Sequence, residues 1–350
     1  MTKPIVPLVD ARLAKLTTWL HTLPVEFGLN LTALEPASSD ASFRRYFRLS
    51  AKGRTLVAMD APPPNEDCRP FIDVTDRLSL VGLNVPKILA KDVEQGFLLL
   101  TDLGPTTYYQ KIQQGLDDTT LQAMYREAIA ALVTLQSAKT VGLPDYDANR
   151  LKTELSLFPD WYAAIHCQAP LDLSVQAQLE PVFDLLVQHN AAQPKVLVHR
   201  DFHSPNLMHC TQVQEGANPG VLDYQDALAG PITYDLASLV MDARTTWEEP
   251  QQLDWAIRYW EQARKAGLPV AGDFADFHRD YEWMGLQRNL RILGVFARLN
   301  HRDGKASYLA HIPRVNQYVR QVAGRYNAFR PLIKVLDRLN NIQAGAGYTF

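Results

Sequence analysis

The chain has 350 residues, 47% of them hydrophobic and 21% charged, with a formal net charge of −3. That length suits about two domains or two lobes with a core needing no disulfide or metal, and the composition excludes collagen-like, heptad-rod and disordered chains. The near-neutral balance leaves no global basic field for nucleic acid, and apolar stretches such as Ala128–Val133 fall far short of the roughly 20 residues that span a bilayer.

In chain order, residues 1–12 hold one Lys, two prolines and no apolar run, so they do not read as a secretory signal. Tyr46–Leu49 and Thr55–Met59 read as short strands joined by a turn at Gly53. Asp67–Val81 sets Phe71, Val74, Leu78 and Val81 at helical spacing and stops at Gly82. Val85–Leu89 is extended, because Pro86 bars its predecessor from the helical region. Gly96–Thr101 reads as a buried strand ending at Asp102-Leu103-Gly104. Beyond it the pattern turns helical, at Thr119–Ala138, Glu154–His166 and Ser174–Asn190. Short strands follow at Val196–His199, Leu207–Cys210 and Gly220–Leu222, then three or more helices from Pro231 onward. The expected fold class is α+β with two lobes. Residues 1–102 form a small β-rich N-lobe with an N-terminal helix, and residues 103–350 a larger, mainly helical C-lobe. Cys68, Cys167 and Cys210 stand far apart with no CxxC pair, which predicts a reducing, cytoplasmic setting.

The chemistry concentrates in His199-Arg200-Asp201-Phe202-His203-Ser204-Pro205-Asn206, a loop between two short strands. Further on, Leu222-Asp223-Tyr224-Gln225-Asp226 ends another strand. An H-x-D-x(4)-N run followed by a strand-end Asp suits phosphoryl transfer. One carboxylate orients and deprotonates a hydroxyl, while an Asn oxygen and a second carboxylate hold a metal ion against phosphates. Mg²⁺ takes few protein ligands and completes its octahedron with water and phosphate oxygens. A metal hydrolase using His199, Asp201, His203 and His209 is a rival reading that leaves Asn206 unexplained.

These segments resemble the aminoglycoside phosphotransferase/choline kinase branch of the protein-kinase-like fold. Within it the resemblance runs to the bacterial kinases that phosphorylate the anomeric hydroxyl of N-acetylmuramate and N-acetylglucosamine. It is carried by Ser38–Leu49, Val57–Pro63, His199–Met208, Val221–Ala227, Gly230–Leu239 and Gln287–Leu299. The resemblance implies a monomeric Mg²⁺·ATP-dependent sugar 1-kinase, feeding UDP-amino-sugar synthesis in peptidoglycan recycling. It implies that Asp201 is the catalytic base, that His199 supports the loop backbone, and that Asn206 and Asp223 bind Mg²⁺ and the phosphates. Asp235 would brace the catalytic loop from below. Ser39, Ser42 and Arg44 would lie over the ATP phosphates in a loop that holds no Gly, and Leu100 and Asp102 would belong to the adenine-binding hinge. Family relatives commonly carry a Lys on the strand where Met59 stands, paired with a helix Glu where this chain offers Asp73 and Asp76. That departure keeps open a nucleotide-binding pseudokinase, and aminoglycoside or choline acceptors remain alternatives.

One further pattern concerns the acceptor. Residues 278–305 read as one long helix and a turn, with six Lys or Arg against three acids. Arg288, Arg291, Arg298 and Arg302 recur at helical steps. A carboxylate-bearing sugar would suit Arg288 or Arg291, with Gln225 and Asp226 reaching sugar hydroxyls.

Overall fold

The computed structural model describes residues 10–37, 43–211 and 217–340. Its described residues group into two compact units, one drawn from Met1–Thr106 and Met208–Asp226, the other from Thr107–Leu207 and Ala227–Phe350. The boundary expected at 102–104 thus falls after Thr106, and the short segment around Asp223 groups with the first unit, not with the helical remainder.

The first unit opens with α1 (Ala11–Thr22), capped by Asp10, whose carboxylate accepts the amides of Arg12 and Leu13. Five antiparallel strands follow, β1 (Leu29–Pro36), β2 (Arg45–Ala51), β3 (Arg54–Asp60), β4 (Ile88–Asp92) and β5 (Phe97–Thr101), in the order β1-β2-β3-β5-β4. Helix α2 (Arg69–Leu80) is inserted between β3 and β4. The β2–β3 hairpin pairs Ala51 with Arg54, so its two-residue turn is Lys52-Gly53, both at positive φ. That backbone matches the strand twist and favours Gly at the second position. Leu16, Trp19 and Leu20 of α1 bury against Phe47, Leu49, Leu56, Ala58, Phe97 and Leu99 on one sheet face. Each buried Leu or Phe among them contributes about 1.5–3 kcal/mol. Tyr46, Arg48, Val57, Met59, Leu98 and Leu100 are the alternate residues and take the other face. The unit ends with a two-stranded ladder of β7 (Leu207–Met208) and β8 (Gly220–Val221), whose Val221 amide donates to the Asn84 carbonyl.

The second unit is mainly helical. It comprises α3 (Tyr108–Gln113), α4 (Asp118–Gln136), α5 (Ala148–Leu155), α6 (Leu173–Ala191), α7 (Tyr234–Val240), α8 (Glu249–Lys265), α9 (Phe274–His301), α10 (Ile312–Arg325) and α11 (Arg330–Leu339). A ladder of β6 (Lys195–Val198) and β9 (Leu228–Pro231) pairs Val196 with Gly230 and Val198 with Leu228. The single helix expected over Glu154–His166 is two segments. Helix α5 stops at Leu155, and a wider π-helical stretch runs over Phe158–His166 with Pro159 near its start, where the missing N–H costs nothing. Helix α9 packs along this stretch, and a Cβ on Gly294 would stand 2.2 Å from the Leu157 carbonyl oxygen. No described helix is long and apolar enough to cross a membrane.

Candidate active site

In the helical unit, β6 delivers the chain into His199–Asn206, and Asp235 of α7 and Asp242 just beyond that helix hold the loop at its two ends. Asp235, in the first turn of α7, accepts the backbone N–H of His199 at 2.6 Å and of Arg200 at 3.0 Å. Asp242, seven residues on, accepts the Ser204 amide at 3.3 Å and its hydroxyl at 2.5 Å. Both carboxylates are fully buried. Burial pushes the Asp235 carboxyl up to about 6, although His199 and the two amides oppose the rise. Arg200 takes φ +77°, a conformation uncommon outside glycine, and the pair of bonds to Asp235 fixes it there.

Inside the loop, the Asp201 amide donates to His199 Nδ1 at 3.3 Å, and Asn206 Nδ2 donates to the Asp201 carbonyl at 2.9 Å. The second bond sets which end of the amide is oxygen, the donor a hard cation needs. Burial raises the Asp201 carboxyl, but His203, Arg291, Arg288 and His199 outweigh it and hold it at about 2. Burial pulls the His203 imidazole down, against the opposing pull of Asp242, and Arg244 lies 3.3 Å from its Nδ1. Beyond Asp201, Arg291 and Arg200 each lie 3.2 Å from Glu154, which also accepts the Tyr146 hydroxyl. The basic residues that recur at helical steps along α9 differ in burial. Arg288 is buried, Arg291 is tied to Glu154, and Arg302 pairs with its neighbour Asp303 at the surface.

In the first unit, Asp223 follows β8 at φ +65°. Gln225 Nε2 donates to Asp223 Oδ1 at 2.9 Å and to Asp226 Oδ2 at 3.4 Å. Gln225 thus links the two carboxylates. Tyr224 is buried, stacks on Phe71 of α2 at 5.1 Å between ring centroids, and shares a 2.8 Å hydrogen bond with Thr75. Thr75 spends its own proton on the Phe71 carbonyl, so Tyr224 is the donor. This neutral tie connects α2 to the Asp223 segment. Met59 is fully buried opposite Tyr46 and Leu98. Asp73 pairs with Arg77 on its own helix.

Leu100 is buried at its pairings with Val57 and Ile88. The Asp102 carboxylate is committed to Arg48, at 2.5 and 3.0 Å, and to the Gly104 amide, so its side chain braces the strand end. Arg44 lies 3.2 Å from Glu66. Ser39 and Ser42 fall outside the described residues. Among the described residues, no group of three or more His, Cys, Asp or Glu is arranged to hold a metal ion. An amide oxygen with a carboxylate fits Mg²⁺, which keeps water and phosphate ligands, better than an all-protein cage would. Sequence reasoning missed Arg48, Glu154, Arg244 and Asp242. Only Asp242 leaves a local signal, the two-turn spacing from Asp235.

A five-stranded antiparallel sheet with one inserted helix, accompanied by a mainly helical unit, is the protein-kinase-like architecture. A choline/ethanolamine kinase family protein from Mesorhizobium loti superposes with a TM-score of 0.60 at 13% identity, covering 93% of this chain and 99% of that one. The profile of the phosphotransferase enzyme family matches residues 33–274. Full-length similarity is stronger. The chain is 46% identical to a protein of Pseudomonas aeruginosa named N-acetylmuramate/N-acetylglucosamine kinase, over 94% of this chain and 96% of that one. A protein of Neisseria meningitidis serogroup B with the same name is 44% identical over 97% and 99%. The chain belongs to the phosphotransferase enzyme family and is a kinase.

Proposed function

We propose that the chain transfers the γ-phosphoryl group of Mg²⁺·ATP to the anomeric C1 hydroxyl of N-acetylmuramate and of N-acetylglucosamine. It acts in the cytoplasm as a monomer, and its sugar 1-phosphates feed UDP-amino-sugar synthesis in peptidoglycan recycling. The observation that carries the reading is the Asp201 loop, held by Asp235 at one end and Asp242 at the other, with an ionised carboxylate at its centre. The choice of acceptor draws on the names of relatives at 44–46% identity over nearly their whole length.

In this reading Asp201 orients the acceptor hydroxyl and takes its proton. A carboxylate held near 2 is a weak base, which suits a loose transition state in which the hydroxyl becomes acidic only as the new bond forms. His199 fixes the Asp201 amide. Asn206 and Asp223 hold Mg²⁺, which when bound neutralises charge on the β- and γ-phosphates. The main chain at Leu100 and Asp102 receives adenine. Ser39, Ser42 and Arg44 belong to the phosphate loop.

The test is ADP release with Mg²⁺·ATP and a panel of N-acetylmuramate, N-acetylglucosamine, an aminoglycoside and choline, with the product's phosphorus resonance assigned. The expected result is ADP release stimulated by the two amino sugars and phosphate on C1. Stimulation by the aminoglycoside or choline alone, phosphate on another hydroxyl, or ADP release that no acceptor stimulates would overturn it.

A further inference from the structure

The cations around Asp201 are not equivalent. Arg200 and Arg291 share Glu154. Arg288 is only 4% exposed, yet its Nε and Nη1 find no hydrogen-bond partner among the described residues. Its guanidinium stands 6.0 Å from the ring of Tyr234, whose hydroxyl is also without a partner. The same cation lowers the carboxyls of Asp201 and Asp235, so it lies close beside the catalytic loop. A guanidinium removed from water is costly unless an anion meets it. Its fork of N–H groups matches a carboxylate in bidentate fashion. Of the nearby carboxylates, Glu154 is taken by two arginines and Asp235 by two backbone amides, which leaves Asp201, the group that receives the acceptor hydroxyl in the reading above. The neighbours Asp201, Glu154, Arg200 and Arg291 are only partly buried, so the cluster opens toward solvent on their side.

We propose that Arg288 is the anion subsite of the acceptor pocket. It holds the carboxylate of an acidic sugar whose hydroxyl is presented to Asp201, and so favours acidic over neutral acceptors. The inference rests on the kinase reading above. A second source of the same anionic chemistry is the phosphoryl group in transfer, and the experiment separates the two.

Wild type, Arg288→Met and Arg288→Lys are compared for kcat/KM with N-acetylmuramate and with N-acetylglucosamine, which lacks the lactyl carboxylate. Each sugar is also titrated calorimetrically without nucleotide. For Arg288→Met, the ratio of kcat/KM for the acidic over the neutral sugar is expected to fall at least tenfold, with partial recovery in Arg288→Lys. Binding of N-acetylmuramate without nucleotide should weaken by a similar factor. Equal losses on both sugars would assign Arg288 to the phosphoryl group or to the fold, and an unchanged ratio would leave it no substrate role. Either result overturns the proposal. If Arg288→Met does not fold, the contrast moves to the ligand. Wild type should bind N-acetylmuramate at least tenfold more tightly than its methyl ester, and equal affinities overturn the subsite. Wild type that turns over neither sugar refutes the kinase reading, while the binding contrast still reads Arg288.

Discussion

At the scale of single residues, the candidate site depends on carboxyls whose acidities their surroundings shift in opposite directions. Asp201 is kept ionised, against its burial, by the guanidinium groups of Arg291 and Arg288. Its replacement by Asn keeps the shape and removes the proton acceptor. Asp201→Asn is therefore expected to lose about 10²–10⁴ in kcat while nucleotide affinity stays near wild type. Turnover within threefold of wild type would remove Asp201 from that role. Asp235 is the reverse case, an acid raised by burial to about 6 from an ordinary 3.8. Between these values the folded chain binds the extra proton. The contribution to stability is full below about pH 4 and is lost as pH rises through about 6. Asp235→Asn cannot titrate. The stability of wild type relative to Asp235→Asn should therefore decline between about pH 4 and pH 6, as read by urea unfolding at stepped pH. Parallel curves would show that Asp235 does not titrate in that window.

Among the elements, α7 and α2 do comparable work on different segments. Asp235 in the first turn of α7 and Asp242, two residues past its end, hold the His199–Asn206 loop at its two ends. Helix α2 grips the Asp223 segment through Phe71 and Thr75. Because Tyr224 donates to Thr75, the two halves of that bond are unequal. Thr75→Val removes the acceptor of a buried phenol and should cost about 1–3 kcal/mol, whereas Tyr224→Phe leaves only a hydroxyl acceptor short and should cost about 0.5–1.5. Chemical denaturation of the two variants checks the order, and a larger loss in Tyr224→Phe would reverse the donor assignment. Elements with regular periods were legible in the sequence, such as α4, expected at Thr119–Ala138 and found at Asp118–Gln136. Strand β1 was not, because its register with β2 shifts between Asn30 and Glu35 and breaks the alternation. Strand β9, Leu-Ala-Gly-Pro, hides because Gly and Pro weaken any strand reading. The break of Glu154–His166 into α5 and a π-helical stretch is set by packing against α9, which no local pattern announces.

For the whole molecule, legibility followed sequence separation. His199, Asp201 and Asn206 lie within eight residues, so their order alone carried the chemistry. Glu154 reaches Arg200 and Arg291 from 46 and 137 positions away, a juxtaposition only the fold creates. The proposed metal pair is itself divided, with Asn206 in the helical unit and Asp223 in the first. If both residues hold the same ion, neither can do its work without the other. Asn206→Ala and Asp223→Ala should then each remove most of the turnover and raise the Mg²⁺ concentration needed for half-maximal rate. The double variant should be little worse than the poorer single one, since residues acting as a unit are far from additive. Mg²⁺ titrations of all four proteins test this. Losses that multiply in full would mean that the two residues act independently and that the ion is held by only one of them.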